Sequence, residues 1–457
     1  MGVSSVGVGS SILTQDVLDQ LREVDEAAQI TPIDLSLANE NDKKEALLVI
    51  DASMDNLIDS INEIKSQSLY DERKTEVSGV AVEVTAFANS DVQDFTLSVN
   101  VLATKQIEES GAFTSNSELI ANAAGSMNIN IDGQDFTIDY DETTTITDLK
   151  NLINDAAGDK VDATIVQIND GEFRLFVSSI DTGTTQDITM TDNSAQLKDG
   201  RATTEMTAIQ SGIDAEFTFN GQAITRTSNN IDDLITGLNI TLKEVGTSVV
   251  SVSQDRDNIM EKFGSFVEKY NAAIAQLNTM TKSTTESDER GIFSGESMIK
   301  NMKRTIEDLV LSIGGGVGNM VDYGFDVDQD GVMTLDQDTL NSTLDDDSSN
   351  VEVFFAGGDF DNGDGTTTTV DGAFSEFSTV VEGYTKYDAT LDQFKNSITD
   401  TISALEDRKT TATERLDAKY EILKQQFIAY DLMISKLNSA SSMFIEMANT
   451  STAAANN

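Results

Sequence analysis

The sequence of 457 residues contains no cysteine, no histidine, no tryptophan and a single proline. These absences exclude a thiol nucleophile, a Ser-His-Asp triad, a zinc site of the usual Cys/His kind and any disulfide framework. Basic residues are scarce as well: 30 Lys and Arg stand against 79 Asp and Glu, for a formal charge of -49. Nucleic-acid affinity comes from Lys and Arg neutralising phosphates, so neither nucleic acid nor an anionic membrane surface is an expected partner. No apolar run approaches the roughly 18 residues of a membrane span. The opening MGVSSVGVGSSILTQDVLDQL lacks the basic patch, apolar core and cleavage site of a signal peptide. The expectation is a soluble chain whose export, if any, uses a route without a cleaved leader.

What is present is periodicity. Leu47, Ile50, Met54, Leu57, Ile61 and Ile64 follow alternating steps of three and four, the seam of a coiled coil. Upstream, Leu13, Val17, Leu21, Val24 and Ala28 form a shorter stripe, and Pro32 after it should interrupt the helix. Near the other end Leu416, Tyr420, Leu423, Phe427, Tyr430, Ile434 and Leu437 repeat the alternation, with Phe444 continuing it past Ser441. Leu391, Phe394, Ile398 and Leu405 precede this run, and the eleven-residue step from Leu405 to Leu416 marks an inserted four. One interrupted helix from about Lys386 to Met447 is expected, meeting the N-terminal helices as an antiparallel pair. An ordinary helical bundle within one monomer explains the same stripes.

The middle alternates with period two, in Val80, Val82 and Val84 and in Phe95, Leu97, Val99 and Val101, which predicts antiparallel strands. Asp132-Gly133 and Asp170-Gly171 supply the turns of two hairpins. SMNINIDGQDFTIDYDETTTITDLKNLI and AEFTFNGQAITRTSNNIDDLITGL share a hairpin, a polar stretch and an Ile-led helix start, so each predicts a hairpin plus a helix. Helical spacing returns with Ile259, Phe263, Phe266, Tyr270, Leu277 and Met280, then with Met298, Met302, Ile306 and Leu309 up to the Gly314–Gly318 cluster.

The predicted class is α+β multidomain, with terminal coiled-coil helices and a helical stem carrying inserted antiparallel β-rich modules. Its parts are an N-terminal leg helix region over 1–45, a stem over 46–75 and 255–385 with a small hairpin near 323–337, and a C-terminal coiled-coil leg over 386–457. One β module covers 76–111 and 206–254, and an inserted second covers 112–205.

Two acidic segments invite a metal. In DVDQDGVMTLDQ, residues 326–337, Asp326, Asp328 and Asp330 hold positions one, three and five of a calcium loop, with Gly331 at the turn. Position twelve is Gln337 rather than the bidentate Glu, and Val332, Met333 and Leu335 read as a strand, so an Asp-Gly β-turn is preferred. GGDFDNGDGTTTT, residues 357–369, reads as a flexible acidic loop. No carboxylate pair stands out, and no Walker loop or nucleophile elbow is present. No enzyme activity and no cofactor is expected.

Several segments carry a specific resemblance: GVGSSILTQDVLDQL with Thr31-Pro32-Ile33, FTLSVNVLATKQ over 95–106, DNIMEKFGSFVEKYNAAIAQLN, MVDYGFDVDQDGVMTLDQDTLNSTL with the VEVFF that follows, and MFIEMANT. Together they resemble the family of bacterial flagellar filament cap proteins, the flagellar hook-associated protein 2 family. The resemblance implies a structural protein at the filament tip, exported unfolded by the flagellar type III apparatus. It further implies a ring, commonly a pentamer, that promotes flagellin folding and insertion. Implied partners are further copies of itself, flagellin, the hook-filament junction protein and a flagellar export chaperone. The fourteen seam residues from Leu47 to Ile64 and from Leu416 to Phe444 are then expected at coiled-coil or subunit contacts, ordering only against partners. Other readings are a junction or flagellin-like axial protein, or an acidic calcium-binding surface adhesin.

Overall fold

A computed structural model describes residues 14–286, 289–314 and 317–455. Leu13 and the opening motif before it lie outside the described residues. Among the described residues the α-helices are α1 (Gln15–Gln29), α2 (Thr31–Ile64), α3 (Gln67–Asp71), α4 (Ile146–Ala157), α5 (Arg256–Thr281), α6 (Ser297–Ser312), α7 (Gln337–Ala356), α8 (Ser375–Thr385) and α9 (Thr390–Ala455). The chain forms two compact units, one holding the segments up to Ser66 and from Met260 on, the other Gln67–Ile259. The α+β multidomain class is as expected, with boundaries at 66/67 and 259/260 rather than at 75 and 255. α2 runs unbroken through residue 45, where a leg was expected to end.

In the helical unit, α1 and α2 part at Ile30, whose N–H donates to Glu26 O. Pro32 lies in the first turn of α2, where a missing N–H leaves no bond unmade. The period of α2 then decides its environment: Leu47, Ile50, Met54, Leu57, Ile61 and Ile64 are all 0–1% exposed. They form the buried face of a helix packed with α8 and α9. The expectation that these six order only against partners is corrected: one chain buries them completely, as the bundle alternative required.

Beside them lies an aromatic core. Phe355 of α7 has ring neighbours in Phe263 at 4.7 Å, Phe354 at 4.8 Å and Tyr323 at 5.2 Å, while Phe266 meets Phe374 at 4.7 Å. All four of these pairs meet edge to face, the arrangement ring quadrupoles favour. On α6 the inward residues are Ile299, Met302, Ile306 and Val310, with Met298 and Leu309 half-buried on its flanks.

The second unit contains two β cores. The first joins a five-stranded sheet, in the order Arg73–Ser78, Gly246–Gln254, Gln93–Val101, Ala215–Phe219, Gln222–Arg226, to the three strands Asn230–Ile231, Leu238–Leu242 and Val82–Ala86. Phe95, Leu97, Val99, Phe217, Ile240 and Val250 fill it. The second joins a four-stranded sheet, in the order Thr207–Gln210, Ile107–Glu109, Glu172–Ser179, Val161–Asn169, to the strands Gln134–Tyr140, Gly125–Ile131 and Thr189–Asp192. α4 packs here through Ile146, Leu149 and Ile153. The strands at 107–109 and 207–210 belong to this second core, so the chain crosses between cores near the Thr104–Ile213 bridge rather than at 111/112 and 205/206.

Local chemistry explains where the sequence reading held and where it failed. Asp132 and Gly133 have φ of 52° and 71°, the two positive angles of the expected tight turn. At the second hairpin Gly171 alone has positive φ (75°), and a bulge lies between Gln167 and Asn169. The first Ile-led segment is a helix, α4, whose Thr145 and Asp148 cap each other reciprocally. The second is not: Asn230–Ile231 pairs as a strand with Ile240–Thr241, and Gly237 (φ 82°) turns the chain before a helix has room. Val80 falls in a bend, 72% exposed, while the strand begins at Val82.

Candidate functional site at the terminal helices

α9 is a single helix of 66 residues, about 100 Å long at the α-helical rise of about 1.5 Å per residue. Its first turns belong to the bundle, where Leu391, Ile398 and Ile402 are buried. The eleven-residue gap is not a break. Across it Lys409 reaches Asp34 of α2 at 2.8 Å, and Ala412 and Thr413 are half-buried.

The N-terminal helices run against α9 in the opposite sense, since Asp34 of α2 meets Lys409 whereas Arg22 and Asp25 of α1 meet Asp417 and Lys419 further along α9. Leu416 and Tyr420 form a small core with Leu18, and Ile30, Leu423 and Phe427 pack around it. The antiparallel pairing is therefore as expected, but the face of α1 is not. Leu21 is 46% exposed and Val24 68%, while Leu18, Arg22 and Asp25 face the partner helix. Charge wins over the weak stripe here: Arg22 Nη2 donates to Asp417 Oδ1 at 2.5 Å, and Asp25 Oδ2 accepts from Lys419 Nζ and Tyr420 Oη, each at 2.6 Å. The sequence held a signal for this contact: Arg22 is the first basic residue of an acidic N-terminal segment.

Lys419 first and Tyr420 second hold the Asp25 carboxyl below its ordinary value. Lost hydration, then the Asp25 charge beside it, push the Tyr420 hydroxyl up to about 12. A depressed carboxyl contributes stability above its unfolded pKa of 3.8 and loses it as pH falls through the lower folded value. Pepsin cleavage within α1 should therefore accelerate below pH 3.8. Asp25→Asn should already be cleaved fast at pH 4.5; an unchanged pH profile in that variant would refute the clasp.

Beyond Phe427 the seam opens to solvent. Tyr430 is 56% exposed, Leu437 63% and Phe444 71%, with Ile434 half-buried. Leu432, Met433, Met443, Ile445 and Met447 are also more than half exposed.

The acidic segments do structural work. Asp328 Oδ1 accepts from the N–H groups of Asp330 and Val332 at 2.9 and 2.8 Å, closing the turn between strands Phe325–Val327 and Met333–Leu335. Asp326 Oδ1 accepts from Val327 N–H. Among the described residues no group of three acidic side chains converges to hold a metal, so Asp326, Asp328 and Asp330 are not assembled as a calcium site. The segment read as a flexible loop is a second hairpin, Gly358–Asp361 with Thr367–Val370, in which Asp359 and Asp364 accept from Thr369 and Thr366. Nor is any helix among the described residues long and apolar enough to cross a membrane.

The family models for the N-terminus and C-terminus of flagellar hook-associated protein 2 match residues 10–106 and 212–439. The chain belongs to this family. Flagellar hook-associated protein 2 of Escherichia coli K12 is 24% identical over 472 residues, covering 96% of this chain and 97% of the relative. That of Helicobacter pylori J99 is 32% identical over 238 residues, which is 50% of this chain but 35% of the relative. The chain thus spans about a third of the Helicobacter relative's length and nearly all of the Escherichia one. Among solved structures, the D1-D2-D3 domains of the flagellar cap protein FliD from Escherichia coli superpose with a TM-score of 0.61 at 20% identity, covering 78% of this chain and 99% of that one. The α+β fold is therefore shared within the family. The segment between the two matched ranges, residues 107–211, contains most of the second β core.

Proposed function

We propose that this protein caps the distal end of a flagellar filament, as a ring of copies that promotes flagellin folding and insertion. Five copies is the family expectation. The observation that carries the reading is the end of α9, where a helix braced by α1 presents Tyr430, Leu437 and Phe444 to solvent. A rigid apolar helix end is suited to seat against the helical subunits of a filament. Flagellin and further copies of the chain are the direct partners in this reading, and the junction protein and an export chaperone are partners during delivery. The place of action is outside the cell at the filament tip, reached through the flagellar export apparatus. A chain without cysteine suits threading in an unfolded state, since a disulfide would obstruct it.

Electron microscopy of the purified chain tests the ring directly. Closed rings of four to six subunits are expected, and monomers under all conditions would refute it. A charge of -49 per copy also sets a salt dependence. The Debye length grows from about 10 Å at 0.1 M to about 30 Å at 0.01 M, so repulsion between neighbours is felt further at low salt. Rings should loosen on dilution of salt; indifference would place the acidic residues away from the subunit contacts.

A further inference from the structure

We infer that residues 207–212 form a pH-gated strap, seated over the Glu108 side chain when that carboxyl carries a proton and released when it ionises. Successive side chains of a strand alternate between faces. Along the strand Ile107–Glu109 the inward positions are polar: Gln106, Glu108 and Ser110 are 5%, 7% and 1% exposed. The register sets Glu108 opposite Val177, itself opposite Ala163, and both of these fill the second β core. A carboxyl group therefore stands in the inward row of an apolar sheet.

A charge so placed destabilises the state that buries it unless it is paired. Among the described residues no cation pairs with Glu108. Arg174 lies on the opposite face with Glu109 at 3.5 Å and Glu172 at 2.8 Å, and Arg201 is taken by Glu118 and Asp199. Lys105 alternates outward and is exposed. The flanking strands face Glu108 with uncharged residues, Val177 on one side and Ala208 on the other. The remaining charged neighbour is Asp187, of the same sign. What Glu108 does have is neutral, since Gln106 Nε2 donates to its Oε1 at 2.5 Å. Lost hydration, opposed by this bond and joined by the Asp187 charge, raises the carboxyl above its ordinary value.

The burial depends on the strap. Residues 207–211 are exposed and uncharged, and they pair with Ile107–Glu109 through Thr207, Ala208 and Gln210, with a break in register after Ala208. Three further bonds fasten it. Gln210 Nε2 donates to Lys105 O at 2.9 Å, Thr104 Oγ1 donates to Ser211 O at 2.7 Å, and Gly212 N–H donates to Gln106 Oε1 at 2.8 Å. The Gln106 amide thus joins the carboxyl to the strap, one end on Glu108 and the other on Gly212. A short solvent-facing edge with few buried apolar contacts belongs to the low-stability end of a fold, where local opening is cheap. Opening rehydrates Glu108, so the seated state binds the proton more tightly than the open one. Its advantage is full below the ordinary value of 4.5 and is lost as pH rises through the higher seated value.

Hydrogen–deuterium exchange of the full chain, read by mass spectrometry from pH 8 to pH 5 and corrected for intrinsic exchange, tests the gate. The central strand Glu172–Ser179 is the internal control. Protection of peptides spanning 207–212 should rise at least threefold towards pH 5 while that of the control strand stays constant. Glu108→Gln, which keeps the acceptor for Gln106, should hold the strap at the wild-type acid level at every pH. Asp187→Asn should move the midpoint of the wild-type transition to lower pH. A flat wild-type profile would overturn the inference, as would a Glu108→Gln variant that still follows the wild-type profile. Equal changes in the strap and the control strand would show that the whole core titrates, and would overturn the gate as well.

Discussion

Phe355→Ala should lower the melting temperature of the helical unit by on the order of 10 °C while leaving the β unit's transition in place. Phe355 is 0% exposed and lies within 6.1 Å, centroid to centroid, of Phe263, Tyr323, Phe325, Phe354 and Phe374. Truncating a buried phenylalanine costs about 3–5 kcal/mol, from the lost transfer energy and the cavity left behind. The site cannot collapse cheaply, because its walls are other aromatic rings held by four separate segments of chain. In a unit of this size each kcal/mol moves the midpoint by roughly 2–4 °C. Differential scanning calorimetry separates the outcomes: two transitions with one displaced are expected, and a joint displacement would show that the two units melt together.

The same cluster shows what was legible in the sequence. Phe263, Phe266 and Tyr270 recur at helical spacing, so their shared face was readable. Their ring partners Phe325, Phe355 and Phe374 come from a short strand, from α7 and from the turn that opens α8, and no local period joins those positions. The hairpin at Asp132-Gly133 was readable because both residues must take positive φ, a demand few residue pairs meet. Ile231 was misread as a helix start because its Ile-Asp-Asp-Leu string resembles that of α4; strand pairing with Ile240 overrides the local preference. On α1 the apolar stripe through Leu21 and Val24 was a weak signal, and the stronger one was electrostatic. Matching Arg22 and Asp25 to Asp417 and Lys419 requires knowing that segments nearly four hundred residues apart lie side by side.

For the C-terminal half of the seam, the period identified the residues but not what they meet. Leu416 and Tyr420 are buried by α1, whereas Leu437 and Phe444 are exposed, although all four follow the same alternation. This division yields the largest functional effect expected of the protein. Leu437→Asp/Phe444→Asp should abolish capping, so that cells carrying it lose filaments and release unpolymerised flagellin. Both side chains are more than 60% exposed, so folding should change little; surface substitutions usually shift stability by within about 0.5 kcal/mol. Placing two carboxylates on the apolar stripe opposes its burial against a filament subunit, because an unpaired buried charge must be desolvated. Deleting residues 425–457 should give the same loss with the β unit still folded. Leu416→Asp supplies the contrast: it strikes the α1 clasp, so it should both destabilise the helical unit and impair capping. Normal filament growth with the Leu437 and Phe444 pair replaced would show that the end of α9 is not the filament contact.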